Sequence, residues 1–113
     1  MGLFCNIDIT KTDIGMFLID FVGFERPLTS RELKQNGCSN KYLLHVRHGF
    51  VFDCKDKAEQ NICLASRCNE VKGLGDILSH LNIVFCAGRA PHFKILRAAQ
   101  AHTELFTMYR GNV

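Results

Sequence analysis

Apolar residues are spaced in two different ways in the first part of the chain. From Leu3 to Ile9 they fall on every second position, and a period of two predicts an opening strand. Over residues 14–22 they recur at helical spacing, which predicts a helix that ends at Gly23. A second short helix is expected over residues 31–36, after Thr29 or Ser30 as its cap.

The centre of the chain carries the clearest local pattern. Residues 42–46 and 50–54 are rich in aromatic, β-branched and aliphatic side chains, and they flank the sequence Arg47-His48-Gly49. A short loop with glycine in the left-handed conformation is a common hairpin connection. The sequence therefore predicts a central hairpin over about 42–54.

The last part of the chain contains the longest helical pattern. Residues 82–86 form a short apolar run typical of a buried strand. Pro91 then stands where a helix could begin, and one stripe continues from it through Ile95, Ala99, His102, Phe106 and Tyr109. This stripe predicts a long C-terminal helix. Residues 56–67 fit a helix or a strand, and residues 76–81 fit a short helix.

These elements predict one α+β domain that includes all residues from 1 to 113. We expect a mixed or antiparallel sheet with the central hairpin and helices packed on it. The chain has 113 residues, 47% of them hydrophobic and 22% charged. This length and composition suit one folded domain with its own core rather than a disordered chain.

Composition also bounds the compartment and the partners. The formal net charge of +3 is mildly basic and lower than a dedicated nucleic-acid binder would carry. Six cysteines occur without a visible secretory signal, and no apolar stretch is long enough to span a bilayer. We therefore expect reduced thiols, a cytoplasmic or nuclear location and no membrane association.

Five potential zinc ligands lie within one segment: His45, His48, Cys54, Cys63 and Cys68. The spacing of the three cysteines resembles the C-x8-C-x5-C-x3-H pattern of CCCH zinc fingers. It departs from that pattern in its second interval, which is one residue short, and at position 72, which is lysine instead of histidine. The favoured interpretation is that these cysteines are small core residues and that the protein has no cofactor. A zinc-supported nucleic-acid-binding domain is the alternative.

Basic side chains gather around the start of the predicted C-terminal helix. They are Arg89, His92, Lys94 and Arg97. Free N–H groups and the dipole at a helix N-terminus favour anions, so the sequence predicts an anion-binding or partner-binding surface here.

A thiol nucleophile supplies a third hypothesis. In Asn36-Gly37-Cys38 the cysteine could open a helix, which would lower its pKa. The hairpin over residues 42–53 is similar to the hairpin of lecithin-retinol-acyltransferase-like hydrolases that carries their catalytic histidine. Lys41 stands at the position of that histidine. A cysteine-dependent hydrolase is therefore a further alternative.

The sequence assigns no catalytic residues, because no base is placed beside a nucleophile and the carboxylates are scattered. It favours a small, non-enzymatic interaction or regulatory protein that binds another macromolecule. Another protein is the favoured partner, and nucleic acid could bind the basic helix end. A short chain rich in cysteine and phenylalanine, without tryptophan, also suggests a viral accessory protein.

Overall fold

The computed structural model describes residues 2–34, 41–71 and 80–109. Within these ranges the chain is mostly sheet, with only two short α-helices and two 3-10 helices. The strands are β1 (Leu3–Phe4), β2 (Phe17–Asp20), β3 (Phe24–Pro27), β4 (Leu43–Arg47), β5 (Phe50–Asp53), β6 (Asn69–Glu70), β7 (Ile83–Cys86), β8 (His92–Ile95) and β9 (Glu104–Thr107). The helices are α1 (Ser30–Leu33) and α2 (Lys55–Glu59), and the 3-10 helices cover Lys11–Asp13 and Leu64–Arg67.

The described strands form three sheets of three strands each, in the orders β1-β9-β6, β2-β8-β7 and β3-β5-β4. All pairs are antiparallel except β6 with β9, which is parallel. The middle strands β9, β8 and β5 therefore use both edges for hydrogen bonding. Each of the outer strands has one neighbour in its sheet.

The core lies where residues of several sheets meet. Phe93 is completely buried on the middle strand β8, and its ring centroid lies 4.9 Å from that of Phe21 and 6.1 Å from that of Tyr109. Ile83 and Leu105 add buried aliphatic surface from β7 and β9. Aromatic rings at these distances contribute about 0.5–1.5 kcal/mol per pair beyond the area that they bury.

The chain passes from one sheet to the next between β2 and β3. The backbone N–H of Phe21 donates to the carbonyl of Pro91 at 3.0 Å, which continues the pairing of β2 with β8. At Gly23 the backbone lies so close to the carbonyl of Asp53 that a Cβ would collide with it. Glycine is therefore required where the chain joins the third sheet.

The predicted central hairpin is present. Strands β4 and β5 pair in antiparallel register, with Leu44 opposite Phe52 and Arg47 opposite Phe50. Gly49 adopts the left-handed conformation at φ 82°, as the turn requires. Leu44 is completely buried while its neighbour His45 is exposed, so the two side chains lie on opposite faces.

The prediction of a long C-terminal helix is wrong. Residues 91–109 instead contain β8 and β9, joined by a turn in which His102 has a φ of 68°. A right-handed helix cannot continue through that conformation. Phe93 and Ile95 are buried and Lys94 is exposed, a period of two, and pairing with β2 and β7 outweighs the local helical spacing.

The prediction of an α+β fold, with helices packed on a mixed or antiparallel sheet, is therefore also wrong, and the fold is a small, β-rich, compact domain. The helix predicted over residues 14–22 is replaced by strand β2. Residues 56–67 contain α2 and a 3-10 helix, and the predicted helix over 31–36 is reduced to α1 in the described part. Most of the helix predicted over 76–81 lies outside the described residues. No helix in the described ranges has the length and apolar character needed to cross a membrane.

Candidate functional site

An apolar cleft opens between the N-terminal segment, residues 3–9, and the segment 16–19 that contains most of β2. Its volume is about 420 Å³, within the range of ligand-binding pockets. Ile95 and Leu105, both buried, form its floor, and they belong to β8 and β9. The cleft therefore lies between the outer strands of two sheets and above their middle strands.

The first wall is held at intervals against β9 and against the segment 99–103 that precedes it. Leu3 pairs with Leu105, the N–H of Cys5 donates to the Thr103 carbonyl at 3.2 Å, and Ile9 and Ala99 exchange two backbone hydrogen bonds of 2.8 and 3.0 Å. Residues 6–8 lie between these attachment points. The wall is therefore fixed at both ends, and Ile7 protrudes from its middle with 74% of its surface exposed.

The turn between the two walls is also well defined. Asp13 accepts from the backbone N–H of Thr10 at 2.9 Å in a capping box around the first 3-10 helix. Gly15 follows with a φ of 88°, and its N–H donates to the Ile95 carbonyl at 2.7 Å. These contacts fix the start of the second wall relative to the floor.

Large apolar side chains around the cleft are exposed to solvent. Phe4 is 51% exposed, Met16 and Phe17 are each 56% exposed, and Leu64 is 41% exposed. Burying one such side chain stabilises a folded chain by about 1.5–3 kcal/mol. Soluble monomers expose apolar side chains singly, and a group of them around a concavity is typical of an interaction site. This cleft was not among the sites predicted from the sequence. The sequence did contain one signal for it, because aromatic and aliphatic residues occur on both faces of the predicted first strand.

The charged side chains that line the cleft are carboxylates in the described part of the chain. They belong to Asp8 and Asp13, and neither lysine nor arginine joins them. Asp8 Oδ1 accepts from the N–H of Ala101 at 2.8 Å, and Asp13 Oδ2 holds the capping box. The cleft therefore combines an apolar floor with negative charge.

A second feature is a buried thiol pair, Cys54 and Cys63. The Sγ of Cys63 lies 3.1 Å from Ser66 Oγ and accepts from the Val22 N–H at 3.2 Å. A hydrogen bond from Cys54 lowers the pKa of Cys63 below that of an ordinary thiol, against the opposing effect of burial, with Ser66 and Val22 adding to the lowering. The same hydrogen bond, together with burial, raises the pKa of Cys54. Both thiols are fully buried, so an external substrate cannot reach them.

The residues of the zinc hypothesis are distributed over several environments. His45 and His48 are exposed on the hairpin, whereas Cys54, Cys63 and Cys68 are buried. Cys68 donates to the Leu105 carbonyl at 3.3 Å, and burial raises its pKa to about 12. Among the described residues, no group of three or more histidine, cysteine or carboxylate side chains is arranged to hold a metal ion. Cys38, the nucleophile of the hydrolase hypothesis, lies outside these residues.

The basic residues of the predicted anion site do not lie at a helix N-terminus, because the chain forms β8 there. Arg89 is exposed in the loop between β7 and β8, and Arg97 is exposed after β8. Lys94 is exposed on β8, while His92 is half-buried and its Nδ1 lies 2.9 Å from the Ala90 carbonyl. The helix dipole that the prediction invoked is therefore absent from this described segment.

Comparison with known proteins provides no family assignment. The sequence matches no protein-family model, and no curated protein matches it.

Proposed function

We propose that this chain is a non-catalytic interaction protein that binds another protein through the apolar cleft between residues 3–9 and 16–19. The observation that carries the proposal is the group of exposed apolar side chains around that cleft, above all Phe4, Ile7 and Phe17. Removing such side chains from water is the main favourable contribution to protein association. A reducing compartment, the cytoplasm or nucleus, is proposed with it, since the described cysteines are all free thiols.

The internal structure of the cleft supports binding rather than catalysis. Its lining is apolar except for Asn6 and the two carboxylates, and it contains neither a histidine nor a cysteine beside a base. Cys5 belongs to the wall, but its thiol is buried and donates to the Gln100 carbonyl at 3.1 Å. Rigid walls also suit recognition, because a preformed surface loses little conformational entropy on association.

Photo-crosslinking at two matched positions tests this function. The probe amino acid p-benzoylphenylalanine replaces either Phe17, which is 56% exposed at the cleft, or Phe24, which is 52% exposed on β3 and does not line it. Both residues begin an edge strand and are phenylalanines, so the substitutions perturb the fold similarly. We expect discrete adducts in cells from position 17 and not from position 24.

The adduct is then verified with purified components. The partner identified by mass spectrometry should bind the wild-type chain directly and should bind Ile7→Asp at least about tenfold more weakly. The matched control is Leu33→Asp on α1, because Leu33 is also exposed and lies outside the cleft. Equal adducts from both probe positions, or equal binding by Ile7→Asp and wild type, would refute the proposed function.

A further inference from the structure

We infer that the partner of the cleft is an extended peptide segment that adds as a strand between β1 and β2, with apolar side chains at alternate positions and a lysine or arginine beside them. This inference rests on the proposed function and specifies its partner. Three independent properties of the cleft support it: the strand edges beside it, the shape of its lining and its charge.

The first property is the pair of strand edges. In the described part of the chain, β1 has β9 as its one hydrogen-bonded neighbour and β2 has β8. Each strand is therefore the edge of its sheet, and the cleft lies between the two. An edge strand presents unpaired N–H and C=O groups along its length, and an added peptide strand satisfies them.

The second property is the lining. Successive side chains of a strand point to opposite faces, so an inserted strand would direct every second side chain to the floor formed by Ile95 and Leu105. The intervening side chains would point towards solvent past the exposed Ile7 and Phe17. Such a ligand must therefore be apolar at alternate positions. A helical ligand would instead need apolar side chains three and four residues apart.

The third property is the charge of the cleft. Asp8 and Asp13 are its charged lining residues within the described chain, and each uses one carboxylate oxygen in the hydrogen bonds of the walls. The other oxygens can accept from a ligand. Charge complementarity therefore favours a basic side chain at the end of the inserted segment, and it disfavours an acidic one.

Peptide display tests the inference without knowledge of the natural partner. Random peptides long enough to form a strand of about six residues are selected on the full chain and counter-selected on Ile7→Asp. The expected consensus has large apolar residues at alternate positions and a flanking lysine or arginine. A consensus with helical spacing, a consensus with acidic flanks, or no enrichment over the counter-selection would each overturn the inference.

The enriched peptide then reports the binding mode. Because one edge of the inserted strand faces β1 and the other faces β2, methylation of either alternate set of its backbone nitrogens should weaken binding by about tenfold or more. Amide hydrogen exchange should slow over residues 3–9 and 16–19, while β3 remains unchanged. Asp8→Asn with Asp13→Asn keeps the acceptors of the wall hydrogen bonds and should reduce the salt dependence of binding.

Failure of this inference differs from failure of the proposed function. If a partner crosslinks at position 17 but binds without protecting either strand, the cleft is a protein-binding site and strand addition is wrong. If position 17 gives no specific adduct, the proposed function itself is wrong.

Discussion

Asn82 pairs with the backbone of Phe106 as a residue of a neighbouring strand would, through one side-chain and one backbone hydrogen bond. Its Oδ1 accepts from the Phe106 N–H at 2.7 Å, and the backbone N–H of Asn82 donates to the Phe106 carbonyl at 3.3 Å. Its Nδ2 also donates to the Glu104 carbonyl at 3.1 Å. Asn82 precedes β7, so this buried residue connects the sheet of β7 and β8 with that of β9.

Asn82→Ala should therefore destabilise the fold by about 2–4 kcal/mol, because it leaves an N–H and a carbonyl of β9 without partners in a partly buried region. Asn82→Asp keeps the acceptor for Phe106 and loses the donor to Glu104. Chemical denaturation should show that both variants are less stable than wild type. A loss below about 0.5 kcal/mol for Asn82→Ala would contradict the connecting role of this side chain.

Thr107 poses the opposite case, since its completely buried Oγ1 has no hydrogen-bond partner in the described part of the chain. Thr107→Val replaces the hydroxyl by a methyl group of similar size and removes the cost of its desolvation. We expect the free energy of unfolding to increase by about 1–2 kcal/mol. Thr103→Val, at an exposed position, is the control and should change it little. A destabilised Thr107→Val would mean that the hydroxyl is bonded.

The sequence predicts the local features of this fold better than its long-range pairing. The hairpin of β4 and β5 depends on neighbouring residues and on Gly49, so its pattern is visible in one short segment. Strand β8 pairs with β2, which lies far away along the chain. Four-residue strands carry too few positions to distinguish a period of two from a helical one. Pairing with distant strands therefore makes the segment around Phe93 a strand and not a helix.

The candidate site was harder to predict for the same reason. Residues 3–9 were expected to form a strand, but the exposed position of Ile7 depends on how Cys5 and Ile9 are attached to the segment 99–103. The second wall was expected to be a helix. No local pattern indicates that β2 turns Phe17 towards solvent, because that orientation follows from its irregular pairing with β8.

The ion pair of Arg26 and Glu32 should make the free energy of unfolding depend on pH in the acidic range. Arg26 donates to both carboxylate oxygens of Glu32 at 2.8 Å and to Asp53 at 2.8 Å. The Arg26 hydrogen bonds, supported by the N–H of Thr29, lower the pKa of Glu32 from 4.5 to about 2. Because the pKa is lower in the folded chain, this stabilisation is complete above pH 4.5 and disappears as the pH falls through about 2.

Glu32→Gln should accordingly be less stable than wild type at neutral pH, and the difference should shrink as the pH falls from 4.5 to about 2. The free energy of unfolding of both proteins across this range provides the measurement. Glu59→Gln on the exposed side of α2 is the control for removing a carboxylate. A difference that stays constant down to pH 2 would show that Glu32 acts through packing instead of charge.

The buried thiol pair gives the last prediction, in which ionisation and accessibility act in opposite directions. The hydrogen bond from Cys54 lowers the pKa of Cys63 below that of an ordinary thiol, and this favours the thiolate, which is the form that alkylating agents attack. Cys63 is nevertheless buried, and among the described cysteines Cys86 is the most exposed. Labelling with iodoacetamide, followed by peptide mass spectrometry, should therefore modify Cys86 first in the native protein. Cys63 should react at least about a thousandfold more slowly, because the reagent reaches it only when its surroundings unfold. Denaturant should remove most of this difference.

Ser66→Ala deletes a hydrogen bond to Cys63, and it should accelerate labelling of Cys63 only as far as it reduces stability, because access and not ionisation limits the reaction. Native labelling of Cys63 at the rate of Cys86 would show that the pair is accessible and would reopen the hypothesis of a reactive cysteine.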